Sequence, residues 1–302
     1  MAQISFDFED PAERLFGFKL ANPRNLTDRL PDTSPLRALY ADWEERMVLA
    51  LLRRQQAFHA VLVGRLRQMF PDKAIKQDPG DVKREIANMT DFWSAWGAGY
   101  YAELLPFIDE AARIGLGQGG ATLSTQFGIQ TNPLSSYAHV KDWAQEHSAK
   151  LVKKKSRMFR RNLTQTDIRN IQSAVASWSE TGLPFNELVT QLEGIVANPY
   201  RARMIAATES TRAYAQANRI LWRDSGFVEG ERWNTANDEL VCFLCGGVSG
   251  KVKPIEEDYW QSSEGPLDMP AHVNCRCWPT PVVLSKMFAD EFEGSDDIRI
   301  QD

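Results

Sequence analysis

"CFLCGGVSGKV", residues 242–252, and "HVNCRCWP", residues 272–279, contain every cysteine of a 302-residue chain. The pattern is Cys242-x2-Cys245, then 26 residues, then His272-x2-Cys275-x-Cys277. A C-x-x-C turn aims two thiolates at one point, and an H-x-x-C turn returns an imidazole and a third thiolate to it, the donor set that tetrahedral Zn2+ prefers. Five candidates compete for four positions. Cys242 and Cys245 come first, completed by His272 and either Cys275 or Cys277. Two disulfides fit less well, because the start "MAQISFDFEDPAERLF" has no basic segment leading into an apolar export signal. The zinc deaminase pattern needs H-x-E and the zincin pattern H-E-x-x-H, and neither occurs in the chain. With four or five soft ligands the coordination sphere can close without water, so the expected ion is structural Zn2+. A lobe of short strands and turns, about 227–284, is where such a staple matters most.

Outward from this lobe, the chain reads as an ordinary folded protein: 43% of residues are hydrophobic and 25% charged. A formal charge of −5 argues against a dedicated coat for nucleic acid. No stretch approaches the roughly 18 consecutive apolar residues of a membrane span. The protein is therefore expected in the cytoplasm where it is made.

Residues 1–34, with Phe6, Phe8, Phe16 and Phe18 among Pro, Asp and Asn, read as an extended arm. Ser34 and Pro35 open a helix whose Leu36, Trp43, Met47, Leu51, Leu62 and Leu66 recur at helical spacing. A second helix is expected from about Val82 to Ile114, bent at Pro106. "GLGQGG", residues 115–120, matches G-x-G-x-x-G but follows a helix instead of a strand, so it is expected to be an inter-helix loop and no phosphate cradle. Residues 35–133 thus form a helical domain. Next comes a helix whose Lys150, Lys153, Lys154, Arg157 and Arg161 share one stripe, and from Ser148 to Asn162 there are seven basic residues and no acid. A solvated face usually mixes signs, so this stripe is a candidate contact with DNA phosphates or with an acidic partner surface. Thr164 and Asp167 read as a capping box, Asn198 and Pro199 open a long helix that Gly226 ends, and "CRCWPTPVVL" reads as a final strand. The acidic residues 285–302 read as a loose tail. The fold class is mainly α, a long-helix N-terminal half followed by a small α+β zinc-stapled lobe.

The run from "RARMIAATESTRAYAQANRILW" through "PAHVNCRCWPTPV" resembles the phage Mu F-like head morphogenesis family, minor head proteins of tailed phages. The carriers are Ala207-Thr208-Glu209 in place of the family's R-T-E, then Trp233, Thr235 and Asp238, Cys245 to Lys251, and Pro270 to Cys277 for P-x-H-P-N-C-R-C. Ala207 replaces the family's arginine and Val273 its proline, and neither change removes a metal-ligand candidate. The likeness spans about Lys150 to Val283, within a domain at 134–284. It implies a non-enzymatic protein inside the head at the portal vertex, with portal protein, capsid or scaffold protein and packaged double-stranded DNA as partners. The implied locations are the virion and, during assembly, the host cytoplasm. Two other classes fit parts of the chain: a zinc-containing nuclease or toxin-like enzyme built on Thr208, Glu209, Asp238 and His272, and a DNA-binding adaptor unrelated to capsids. Against the enzyme, Glu209 is expected to pair with Arg212, and Asp238 to cap a turn.

Overall fold

The computed structural model describes residues 34–70, 78–152, 163–181, 184–239, 241–273 and 275–283. The N-terminal arm as far as residue 33, the basic residues Lys153, Lys154, Arg157 and Arg161, and the tail at 285–302 lie outside these residues. Helices α1 (Leu36–Met69), α2 (Pro79–Ala87), α3 (Thr90–Phe127), α4 (Pro133–Val152), α5 (Leu163–Thr181), α6 (Phe185–Val196) and α7 (Pro199–Ser225) precede a lobe of five short strands and one helix. The lobe comprises β1 (Val228–Asn234), α8 (Phe243–Val248), β2 (Val252–Pro254), β3 (Trp260–Ser262), β4 (Gly265–Leu267) and β5 (Trp278–Val283). The fold class is therefore the expected one. Among the described residues no helix is long and apolar enough to cross a membrane.

The apolar spacing of α1 becomes the buried set Leu36, Trp43, Met47, Leu51, Leu62 and Leu66. The expected single helix over 82–114 is instead two. Asp78 caps α2 by accepting from the amides of Gly80 and Asp81 at 2.8 and 3.1 Å. The chain breaks at Asn88–Met89, where the Trp93 indole donates to the Ile86 carbonyl at 2.7 Å, satisfying one acceptor that a helix end leaves open.

Residues 115–120 are not a loop. They lie inside α3, which runs on to Phe127 and ends at Gly128 in the left-handed conformation. The reason is the approach of α7: a Cβ on Gly115 would stand 2.9 Å from the Tyr214 carbonyl oxygen and 3.1 Å from the Ala217 Cβ, and one on Gly119 would stand 2.2 Å from Asn218 Oδ1. Each glycine weakens the helix by about 1 kcal/mol relative to alanine, and close packing of the two helix backbones offsets it. Gly117 faces open space. Gly115→Val is accordingly expected to destabilise by about 1–3 kcal/mol through overpacking, whereas Gly117→Ala in the same run stabilises by about 0.5–1 kcal/mol. Thermal unfolding of the two variants checks this, and equal effects would contradict the packing assigned to Gly115.

Helix α7 is the axis of the molecule. It packs on α3, α1 and α4, and it also receives β1 and β5. Its Asn198 cap accepts from the Arg201 amide at 3.2 Å, and Gly226 ends it in the left-handed region, as the sequence implies. Asp167, by contrast, does not act as a capping-box acid. It is fully buried, accepts from Trp96 Nε1 at 2.8 Å and pairs with Arg201. A carboxylate in this interior is stable only with such partners.

The lobe is built on an antiparallel sheet of order β2-β1-β5, with Glu231 opposite both Lys253 and Pro281. The hairpin β3–β4 places Trp260 edge-on to Trp233, with ring centroids 5.0 Å apart. Ala215, Trp233, Leu244, Val248, Trp260 and Met269 form a small apolar cluster together with all four cysteines.

Candidate metal centre

Cys242 occupies the N-cap of α8, where its sulfur accepts from the Cys245 amide at 3.4 Å, so the short helix turns both thiols of the C-x-x-C pair to one side. The second half arrives on the loop between β4 and β5. There the Cys275 amide donates to the His272 carbonyl at 3.3 Å, closing the H-x-x-C turn. Nδ1 of His272 lies 2.7 Å from the Val273 carbonyl. An N–H at Nδ1 leaves Nε2 as the bare lone pair, the arrangement that metal-binding histidines use.

His272 Nε2 stands 3.2 Å from Cys242 Sγ and 3.4 Å from Cys245 Sγ, and Cys245 Sγ lies 3.8 Å from Cys275 Sγ. For Zn–S of about 2.3 Å and Zn–N of about 2.1 Å, a tetrahedron has S–S edges of about 3.8 Å and S–N edges of about 3.6 Å. The observed separations are close to those edges. Ligand atoms within 4.8 Å of one another form two overlapping triads, Cys242–Cys245–His272 and Cys245–Cys275–Cys277. Cys245 belongs to both. All five predicted side chains therefore converge into a cluster that could hold a metal ion.

The electrostatics of the cluster favour a cation. Hydrogen bonding from Cys245, opposed by burial and aided by His272, holds the Cys242 thiol down to about 4. Burial disfavours the imidazolium of His272, yet hydrogen bonding to Cys242 and Cys275 and the charge on those sulfurs push its pKa up to about 11. Hydrogen bonding to Cys242, Cys275 and Cys277, with burial, pushes the Cys245 thiol up, so without an ion the sulfurs share protons, which a divalent cation would replace.

Around the cluster lie the other residues singled out in the sequence. Arg276, between the last two cysteines, forms a two-pronged bridge to Asp238 with both N–O distances 2.6 Å. The Asp238 side chain is therefore tied to the C-x-C loop, and its backbone carbonyl closes a turn, accepting from the Val241 amide at 3.2 Å. Trp233 is fully buried under the cysteines, and Thr211 Oγ1 donates to the Cys275 carbonyl at 3.4 Å, joining the loop to α7. Thr208 and Glu209 are buried on α7. Glu209 Oε2 lies 3.6 Å from Arg212 Nε, as expected, but only 2.6 Å from His147 Nε2 on α4. His147 was not legible as its partner, although Trp143, one turn earlier, already marked that face of α4. The two rings stack at 5.0 Å. Lys150, the one residue of the basic stripe that is described, pairs with Glu146 at 2.6 Å on the surface.

Burial raises the Glu209 pKa, but the His147 hydrogen bond and charge, with Arg212, lower it by more, so it ends below its ordinary value of 4.5. A depressed folded-state value means that ionised Glu209 stabilises the fold above pH 4.5, and that this contribution is lost as pH falls through the lower folded value. Glu209→Gln is expected to be less stable than the wild type at neutral pH, with the difference shrinking on acidification. Urea midpoints at neutral and acid pH check this, and a constant difference would count against the pairing.

No curated protein and no solved structure matches the chain. One family model does match. It covers residues 169–279, from within α5 to the start of β5, and its span lies inside the resemblance read from the sequence and contains all five convergent side chains. The matched family is described as Phage Mu protein F like protein, and residues 169–279 of this chain are similar to it.

Proposed function

We propose that the protein is a structural minor head protein of a tailed phage, located inside the capsid at the portal vertex and acting in head assembly, DNA packaging or ejection. The observation that carries this reading is the family match over 169–279. The cluster of Cys242, Cys245, His272, Cys275 and Cys277 holds one structural Zn2+, which keeps a lobe with a small apolar core rigid on α7. The helical surface, with the basic stripe at Lys150, Lys153, Lys154, Arg157 and Arg161, faces the portal protein or packaged DNA. Lys150 alone contributes little here, since an exposed pair with Glu146 is worth well under ~1 kcal/mol and yields readily to a phosphate or carboxylate.

The contrasting reading is a zinc-containing nuclease. Glu209 buried against His147, and Asp238 committed to Arg276, support structural roles for the acids such an enzyme would need. Proteomics of intact particles separated from empty shells, with crosslinking, tests the proposal. The protein is expected in a few copies per particle, crosslinked to the portal. Absence from particles, shells and procapsids alike would remove the head-protein reading. Cleavage of DNA or RNA that is lost in a folded Glu209→Ala variant would install the enzyme in its place. If the basic stripe meets DNA, replacing Lys153, Lys154 and Arg157 together should weaken binding and flatten its dependence on salt, by about one unit of slope for each phosphate that is no longer neutralised.

A further inference from the structure

The candidate donors come from two fragments separated by 26 residues, and one residue outside both fragments is bonded to each of them. Asp238 precedes the first fragment. Its backbone carbonyl accepts from the Val241 amide at 3.2 Å, closing the turn that delivers Cys242 to the N-cap of α8. Its carboxylate receives both prongs of Arg276, Nη1 donating to Oδ2 and Nη2 to Oδ1, each at 2.6 Å. Arg276 stands between Cys275 and Cys277, so the guanidinium ties the second fragment to the entrance of the first. The Arg276 side chain is only 8% exposed, and its partner 28%. A guanidinium taken this far out of water needs a matched partner, and a two-pronged carboxylate fixes its direction as well as its charge. The C-x-C loop has another anchor, the 3.4 Å hydrogen bond from Thr211 Oγ1 to the Cys275 carbonyl. That bond joins the loop to α7, whereas Asp238 joins it to the other donors. Asp238 belongs to neither triad that could hold an ion, so its part is not that of a ligand.

Resting on the reading of the cluster as a metal site, we infer that Asp238 is a positioning residue of that site: through Arg276 it sets the C-x-C loop against the C-x-x-C turn and so raises the affinity for the ion without touching it. The bridge and the ion close the same gap between the two fragments. What the bridge contributes to holding them together in the loaded protein is ordering that the ion does not have to supply. The coupling is reciprocal, so the ion holds the bridge closed to the same degree. A residue that only stabilised the lobe would add equally to the metal-free and the loaded protein, and metal affinity would not register its loss.

The test is a double-mutant cycle in metal affinity on the full-length protein, measured for Co2+ by its sulfur-to-cobalt charge-transfer absorbance in competition with a chelator. Asp238→Asn keeps the shape of the side chain and removes its charge. It is expected to bind Co2+ roughly tenfold more weakly, the lower end of what the loss of an outer partner costs, and to show the wild-type spectrum at saturation because the donors are unchanged. Arg276→Gln should lose a similar factor, and adding Asp238→Asn to it should cost less than about twofold more, since the two side chains act as a unit. Asp238→Glu, which keeps the carboxylate on a longer stem, should recover part of the affinity. Wild-type affinity in Asp238→Asn would overturn the inference. So would losses that simply multiply in the double variant, because Asp238 would then not be acting through Arg276, and so would an altered spectrum at saturation, which would mean changed donors. If Asp238→Asn does not fold, Arg276→Lys carries the test: it keeps the charge but gives up the fork, and wild-type affinity in that variant would overturn the inference as well. Failure of the wild type to take up Co2+ or Zn2+ at all is a separate result, and it would sink the metal reading itself.

Discussion

Stripping the metal, or replacing Cys245 by serine, is expected to open the interior of the C-terminal lobe while leaving the helical core folded. Cys245 is the sulfur shared by both triads, so neither triad survives its loss. What remains is a cluster in which Trp233, Leu244, Val248, Trp260 and Met269 surround sulfurs that have lost their cation. Structural zinc in small modules contributes about 10–16 kcal/mol of apparent binding energy at neutral pH, comparable to what a handful of apolar side chains supplies at about 1.5–3 kcal/mol each, so losing an ion would remove a large share of what holds the lobe. The opening should be graded, because Val228, Ile255, Trp278 and Val283 belong to the helical core and not to the cysteine cluster. Hydrogen exchange followed by mass spectrometry checks this. Protection should vanish over 241–251 and 268–277 after chelation, and persist in α1, α3 and α7. Unchanged protection around Cys242 and His272 would show that the lobe needs no ion.

The second large effect lies in charges that the metal does not touch. Glu231, at the centre of the sheet, is fully buried, with Arg219 Nε at 3.1 Å and Lys253 Nζ at 3.0 Å. Arg219 also reaches Asp268 at 3.2 Å, and both cations lie over the Trp260 ring, at 5.6 and 4.6 Å from its centroid. Glu231→Ala leaves two buried positive charges with Asp268, the Pro254 and Glu257 carbonyls and a ring face, and without their shared carboxylate. Breaking a buried pair in this way costs about 3–5 kcal/mol. Glu110→Ala, by contrast, removes an exposed partner of Arg46 and should change stability by less than ~1 kcal/mol. Denaturant midpoints of the two variants separate the cases. Near-equal midpoints would mean that the Arg219–Glu231–Lys253 network is not desolvated as the structure places it.

Much of the helical scaffold was visible in the residues themselves. The spacing of Trp43, Met47, Leu51, Leu62 and Leu66, the Asn198–Pro199 start and the Gly226 stop are local signals, and local signals suffice where a helix is amphipathic and capped. Residues 115–120 misled for a related reason: glycine breaks helices by intrinsic preference, and only the presence of α7 against α3 turns that run into a packing surface. Asp167 looked like a cap because Thr and an acid stood at the right spacing, but its partners Trp96 and Arg201 are distant in the chain. The cysteine pattern was the clearest signal of all, since ligand spacing within a turn is a local property of the chain.

By itself, then, the order of residues determined the helical class, the placing of a small sulfur-rich lobe at the C-terminal end and the five side chains able to meet an ion there. Those properties depend on turns of a few residues, whose geometry neighbours in the chain dictate. Tertiary structure alone decided that His147 is a partner of Glu209, that Arg276 bridges to Asp238, and that all four cysteines gather with Trp233 in one cluster. Each is a contact across elements, set by how helices and strands close upon one another once their apolar faces are buried.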